Sequence, residues 1–101
     1  MTTLATQQAH DALPEALQFR PSTPLVDIGA NLTHESFQRD LSDVIARARA
    51  ANVTRMIVTG TDVAHARQAV EMARQFTGLY ATAGVHPHDA SGWSENVAQA
   101  L

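Results

Sequence analysis

Leu79-Tyr80-Ala81-Thr82-Ala83-Gly84-Val85-His86-Pro87-His88-Asp89 is the stretch whose reading decides the fold of this 101-residue chain. A run of apolar and β-compatible residues ends at Gly84-Val85, and His86, Pro87, His88 and Asp89 follow where a strand gives way to a loop. In proteins built from alternating strands and helices, ligands and reactive groups gather at the carboxyl ends of parallel strands. Three titratable side chains at one such end point to a site. The same residues also suit an ordinary polar turn stiffened by Pro87, and the residue types alone leave both readings open.

Working back from this stretch, the chain repeats one pattern. Arg55 to Thr59 reads as a strand, Gly60 lets the backbone turn, and Thr61 or Asp62 can cap a helix. Its inward stripe is expected to be Val63, Ala66, Val70, Ala73 and Phe76, with Thr77-Gly78 ending it. Before that, Leu25-Val26-Asp27-Ile28 reads as a short strand followed by the small-residue turn Gly29-Ala30-Asn31. Asp27 interrupts a run expected to be buried, and a buried aspartate needs a partner or a metal. Thr33 is the expected N-cap of a helix carrying Phe37, Leu41, Val44, Ile45 and Ala48 on one face, with Asn52 as its stop. Asp43 and Arg47 are spaced to pair on its outer face. Beyond the opening stretch, Ser91-Gly92 precedes a helical start in which Trp93, Val97 and Leu101 share a side. Strand, helix, strand, helix, strand, helix is the alternation of a parallel α/β sheet.

Composition bounds the function. The chain has a formal net charge of −3, seven arginines and no lysine, so no basic face is available to grip nucleic acid by counterion release. A bound metal ion can hold a phosphodiester through its own charge, so processing of DNA or RNA stays open. The absence of cysteine removes disulfides, thiolate metal sites and cysteine nucleophiles. No segment has the apolar length of a signal peptide or a membrane span, and a cytoplasmic location without membrane partners is the expectation. Met1 to Pro24, with Pro14, Pro21 and Pro24, reads as a flexible extension of residues 1–24 ahead of one domain over residues 25–101.

Three groups of residues could carry chemistry. Thr59-Gly60-Thr61-Asp62 places a glycine and hydroxyls where a strand enters a helix, a geometry that binds phosphate in some proteins but more often only caps the helix. His65, one turn into that helix, reads as a solvated histidine, as does His34 beside Glu35, and His10 sits in the extension. His86 and His88 could both face one cavity if Pro87 breaks the strand. Two histidines can begin a metal site, yet a hydrolytic site normally takes three or more protein ligands. Asp27 from the first strand and Asp89 from the loop could add carboxylates, and neither spacing is diagnostic.

Taken together, V-D-I-G-A-N-L-T from Val26, M-I-V-T-G-T-D from Met56 and Y-A-T-A-G-V-H-P-H-D from Tyr80 resemble the opening portion of the TatD family of metal-dependent deoxyribonucleases. The resemblance runs from about Leu25 to Trp93, and the third block is its most specific part. It implies a hydrolase that cleaves DNA phosphodiester bonds with divalent metal ions, magnesium or similar, on a TIM-type (β/α) barrel. This chain would then hold the first three βα units, an incomplete barrel. His86 matches the family histidine that meets substrate phosphate, and His88 matches its companion. Where many relatives carry a first-strand H-x-H of metal ligands, this chain reads Gly29-Ala30-Asn31. No metal ligand is assignable within this chain, and Asp27 and Asn31 are weak candidates near the site. The family's metal-binding glutamate, later histidines and late aspartate have no counterpart in it. By itself the chain is therefore expected to be inactive and, with open sheet edges, to self-associate or aggregate. Two other functions fit the residues: a non-catalytic βα interaction module, and an unrelated phosphate-binding α/β domain.

Overall fold

The computed structural model describes Pro14 and residues 20–101. Most of the expected extension over residues 1–24, including His10, lies outside the described residues. Three strands, β1 (Leu25–Ala30), β2 (Val53–Val58) and β3 (Leu79–Ala81), form one parallel sheet in the order β1-β2-β3. Helix α1 (Leu41–Ala50) links β1 to β2, α2 (Val63–Gln75) links β2 to β3, and α3 (Glu95–Ala100) follows. The α/β class and parallel sheet expected from the alternation are what the chain forms.

The core lies where helices meet β2 and β3. Met56, Val58 and Leu79 from the strands pack with Ile45 of α1 and Ala69 of α2, and Ala30 and Leu32 close the cluster at the end of β1. Ile45 and Val58 are fully buried, and each burial of this kind stabilises by about 1.5–3 kcal/mol. Met56 and Val58 alternate with the less buried Ile57, as a strand with one covered face requires.

Several local expectations are corrected. The segment after β1 is not one helix capped by Thr33. It opens as a 3₁₀ turn over Glu35–Phe37, capped by His34, whose Nδ1 accepts the Ser36 N–H at 3.1 Å. Thr33 is buried, and among the described residues its hydroxyl meets no hydrogen-bonding partner. The chain enters α1 only at Leu41, and Arg47 reaches back to Asp40 at 3.8 Å rather than pairing with Asp43. In α2 the inward face is Ala66 and Ala69, with Met72 and Phe76 packed beside them, while Val70 is exposed. The two alanines let the helix axis come closer to the sheet than a valine stripe allows. The third strand ends at Ala81, several residues short of Val85, and the loop carrying His86 then leads into a second 3₁₀ segment over Pro87–Gly92. Trp93 terminates that segment and is more than half exposed, so it does not share a buried side with Val97. Asp27 is likewise exposed, and its carboxylate accepts the Gly29 N–H at 3.0 Å. It needs no metal to be satisfied.

Turn chemistry accounts for the strand entries. Asn52, with φ 66°, ends α1 in the left-handed region that asparagine tolerates better than most residues. Its carbonyl accepts the Leu25 N–H and its side chain donates to the Pro21 carbonyl, so this turn also anchors the start of β1. Gly78 has φ 85°, and a Cβ there would lie 2.7 Å from the Thr54 carbonyl oxygen.

β1 is the weakly covered strand. Ile28 is 80% exposed and Val26 49%, and Tyr80 on β3 is 54% exposed. Its pairing with β2 is also irregular, with register shifts after Leu25 and between Asp27 and Ala30. Among the described residues no helix is long and apolar enough to cross a membrane.

Candidate nuclease site at the strand ends

Every strand contributes to one open cavity of about 630 Å³ at the carboxyl end of the sheet. Gly29 and Asn31 come from the end of β1, Thr59 and Thr61 from the end of β2, and His86, His88 and Asp89 from the loop after β3. Parallel strands align their carboxyl ends, and the turns leaving them converge on the same side of the sheet. Hydrogen bonds between these turns hold the convergence in place. The His86 N–H donates to the Thr61 carbonyl at 2.7 Å, and the Gly60 N–H donates to Thr82 Oγ1 at 3.1 Å.

The loop after β3 has its own internal order. His86 caps the 3₁₀ segment: its Nδ1 accepts the His88 N–H at 3.1 Å, and Pro87 occupies the first helical position, where a missing N–H costs nothing. The strand has already ended at Ala81, so Pro87 does not break it but opens the 3₁₀ segment, and both histidines line one cavity. Their rings meet edge to face with centroids 4.7 Å apart. His88 and Asp89 also border a neighbouring cavity of about 410 Å³ with Asp62, Ser91 and Val97.

Two residues read as solvated turn out to belong to this cavity: His34 and His65 both line it. His65 is held by Asp62, whose Oδ1 accepts both its backbone N–H and its ring Nδ1–H at 2.8 Å. The Asp62 carboxyl is held below the ordinary carboxylate range, first by the hydrogen bond from the His65 backbone and then by that from its ring. Capping is thus the work of Asp62, and Thr59 and Thr61 are left to line the cavity. His34 stands three residues after Asn31, and His65 stands in the first turn after β2. Extending the strand-end argument from β3 to all three strands would have found both.

Asn31 lines the cavity but Asp27 does not, and Asp89 is its one acidic lining residue. Among the described residues no group of three or more histidines, cysteines or carboxylates is placed to hold a metal ion. The donor set of the described residues therefore does not fit a metal on its own. No arginine lines the cavity, so imidazoles, hydroxyls, the Asn31 amide and the Asp89 carboxylate are its polar side-chain groups.

Residues 26–101 match the family described as TatD related DNase. A protein named 3'-5' ssDNA/RNA exonuclease TatD from Klebsiella pneumoniae (strain 342) is 52% identical over 77 residues, covering 76% of this chain and 29% of that relative. The Salmonella typhimurium protein of the same name is 50% identical over 70 residues, covering 69% of this chain and 27% of its own length. The Shigella flexneri serotype 5b protein is 44% identical over 77 residues, covering 76% and 30%. The chain thus spans less than a third of the length of these relatives. With the three sequence blocks in order, a parallel sheet whose strand ends share one cavity, and a family match over most of its length, the chain belongs to the TatD family of DNases.

Proposed function

We propose that this chain supplies the substrate-phosphate side of a TatD-type nuclease, a hydrolase of DNA phosphodiester bonds. The observation that carries the reading is His86. Because its Nδ1 accepts the His88 N–H, the neutral ring carries its proton on Nε2 and is a hydrogen-bond donor at the mouth of the strand ends. A phosphodiester oxygen is the acceptor such a donor suits. His88 stacks edge-on against that ring and limits its rotation. Asn31 adds an amide that can reach the same ligand. The relatives named as exonucleases of single-stranded DNA and RNA support this substrate class.

On this reading residues 25–101 are the first three βα units of a (β/α) barrel. A divalent cation such as magnesium would supply charge stabilisation and an activated water. The described residues do not assemble its ligands. The chain's own part is to bind and orient the phosphate. Family membership counts against an unrelated phosphate-binding domain. A non-catalytic module would use the same fold without the chemistry.

The experiment is a chimera in which this chain is continued by the remaining length of one of its TatD relatives. With magnesium or manganese, the chimera is expected to degrade single-stranded DNA, whereas the 101-residue chain shows no cleavage above a His86→Ala control. Cleavage by the chain alone, or none by a folded chimera, would contradict the reading.

Self-association accompanies this proposal. Ile28, Val26 and Tyr80 leave apolar sheet surface in water, and β1 and β3 are both edge strands. In sedimentation the 101-residue chain is expected to form oligomers or aggregates and to unfold without a sharp transition. A monomer melting cooperatively would show that the open sheet is tolerated.

A further inference from the structure

Four of the five histidines fall among the described residues, and all four line the strand-end cavity. They are not chemically equivalent. His34 and His86 each give Nδ1 to a backbone amide, from Ser36 and His88 respectively, both at 3.1 Å. In the neutral ring the proton is then on Nε2, and each presents an N–H donor. His65 is built the other way round. Its Nδ1 lies 2.8 Å from Asp62 Oδ1, and an ionised carboxylate only accepts, so in the neutral ring the proton sits on Nδ1 and Nε2 carries the lone pair.

Of the four imidazoles, His34 and His86 present donors and His65 an acceptor, a mixed set that a phosphate alone does not use in full. The oxygens of a phosphodiester or phosphate dianion accept hydrogen bonds and have none to give, so the His65 lone pair takes no hydrogen bond from them. A sugar hydroxyl has the missing donor. We propose that His65 is a substrate contact that accepts a hydrogen bond from a free sugar hydroxyl of a nucleotide whose phosphate is held by His34 and His86, with Asp62 as its positioning residue. This rests on the nuclease reading for the identity of the phosphate ligand, and extends it to the sugar. The cavity volume, about 630 Å³, lies in the range of small-ligand sites. The ligand class is a terminal nucleotide with an unblocked hydroxyl, the end at which an exonuclease begins.

Two measurements on the 101-residue chain test this. Imidazole ¹⁵N spectra, taken in solution or in the solid state so that self-association does not interfere, are expected to show His65 protonated at Nδ1 and His34 and His86 at Nε2. Titration with 2'-deoxyadenosine 5'-monophosphate and with its 2',3'-dideoxy analogue is expected to show about fivefold tighter binding of the first, the scale of one net hydrogen bond. His65→Ala should abolish that ratio while leaving inorganic phosphate binding in place. Asp62→Asn keeps a good helix cap but no longer forces the ring tautomer, so it should reduce the ratio without unfolding α2. A purely structural Asp62–His65 pair would leave the ratio unmoved. Equal binding of the two nucleotides, a ratio that survives His65→Ala, or an Nε2–H tautomer at His65 each overturns the proposal. If inorganic phosphate binds but neither nucleotide does, the sugar contact falls and the phosphate site stands. If nothing binds, phosphate included, the nuclease reading of the cavity falls too.

Discussion

Replacing His86 by alanine in a catalytically competent chimera is expected to lower turnover on single-stranded DNA about 100-fold, the scale seen when one preorganised donor to developing charge is removed. The argument is geometric. His86 is fixed by three constraints that do not depend on substrate: its own N–H donates to the Thr61 carbonyl, its Nδ1 accepts from His88, and its ring rests against the His88 ring. A side chain held in this way loses little entropy on binding, so its Nε2–H is ready where charge grows on a phosphate oxygen. Arg74→Ala, which removes an exposed pair with Glu71 far along α2, is the matched control and should leave turnover within about twofold. Comparable losses from the two substitutions would show that the strand-end position of His86 confers nothing.

Gly60→Ala is expected to unfold the chain or to displace α2 from the sheet, with a loss of about 3 kcal/mol or more. A Cβ on Gly60 would overlap the Thr82 carbonyl oxygen and fall 2.7 Å from Ala66 Cα and 2.8 Å from Ala66 Cβ. Two of those three neighbours are main-chain atoms, and none can rotate away. The same turn donates from Gly60 N–H to Thr82 Oγ1, while Thr82 N–H pairs with the Val58 carbonyl, so relief by moving the loop breaks the exit of β3. Thr61 and His86 sit immediately beyond these bonds. Circular dichroism and chemical denaturation would measure the loss directly. By contrast Gly29→Ala meets nothing within 4 Å and should change stability by less than about 0.5 kcal/mol. Near-native stability in the Gly60 variant would mean that the packing of α2 on β3 is looser than these distances require.

Helix and strand identity were legible because they rest on short-range terms. Apolar runs at Met56-Ile57-Val58, stop signals at Asn52 and Gly78, and an acid at Asp62 act within a few residues of themselves. Periodicity was less dependable where two stripes compete. Of the expected stripe Val63, Ala66, Val70, Ala73 and Phe76, Ala66 is buried and Phe76 packs on the core, while Val70 is exposed and Ala69 and Met72 complete the inward face. Likewise Leu79 to Val85 is β-compatible throughout, yet only Leu79–Ala81 pairs with β2, which ends at Val58 and offers Ala81 the last partner. A strand lasts only as long as its neighbour.

By itself the sequence determined the α/β alternation, carried the resemblance to the family, and put His86 and His88 in the loop that leaves a strand, since these depend on residue types in fixed local order. Only the tertiary structure decided that His34 and His65, which lie 52 and 21 residues before His86 in the chain, share its cavity, and that Asp27 is exposed and outside it. The physical reason is that parallel strands bring distant turns to one edge, and the backbone amides and carboxylate waiting there set which ring nitrogen keeps its proton.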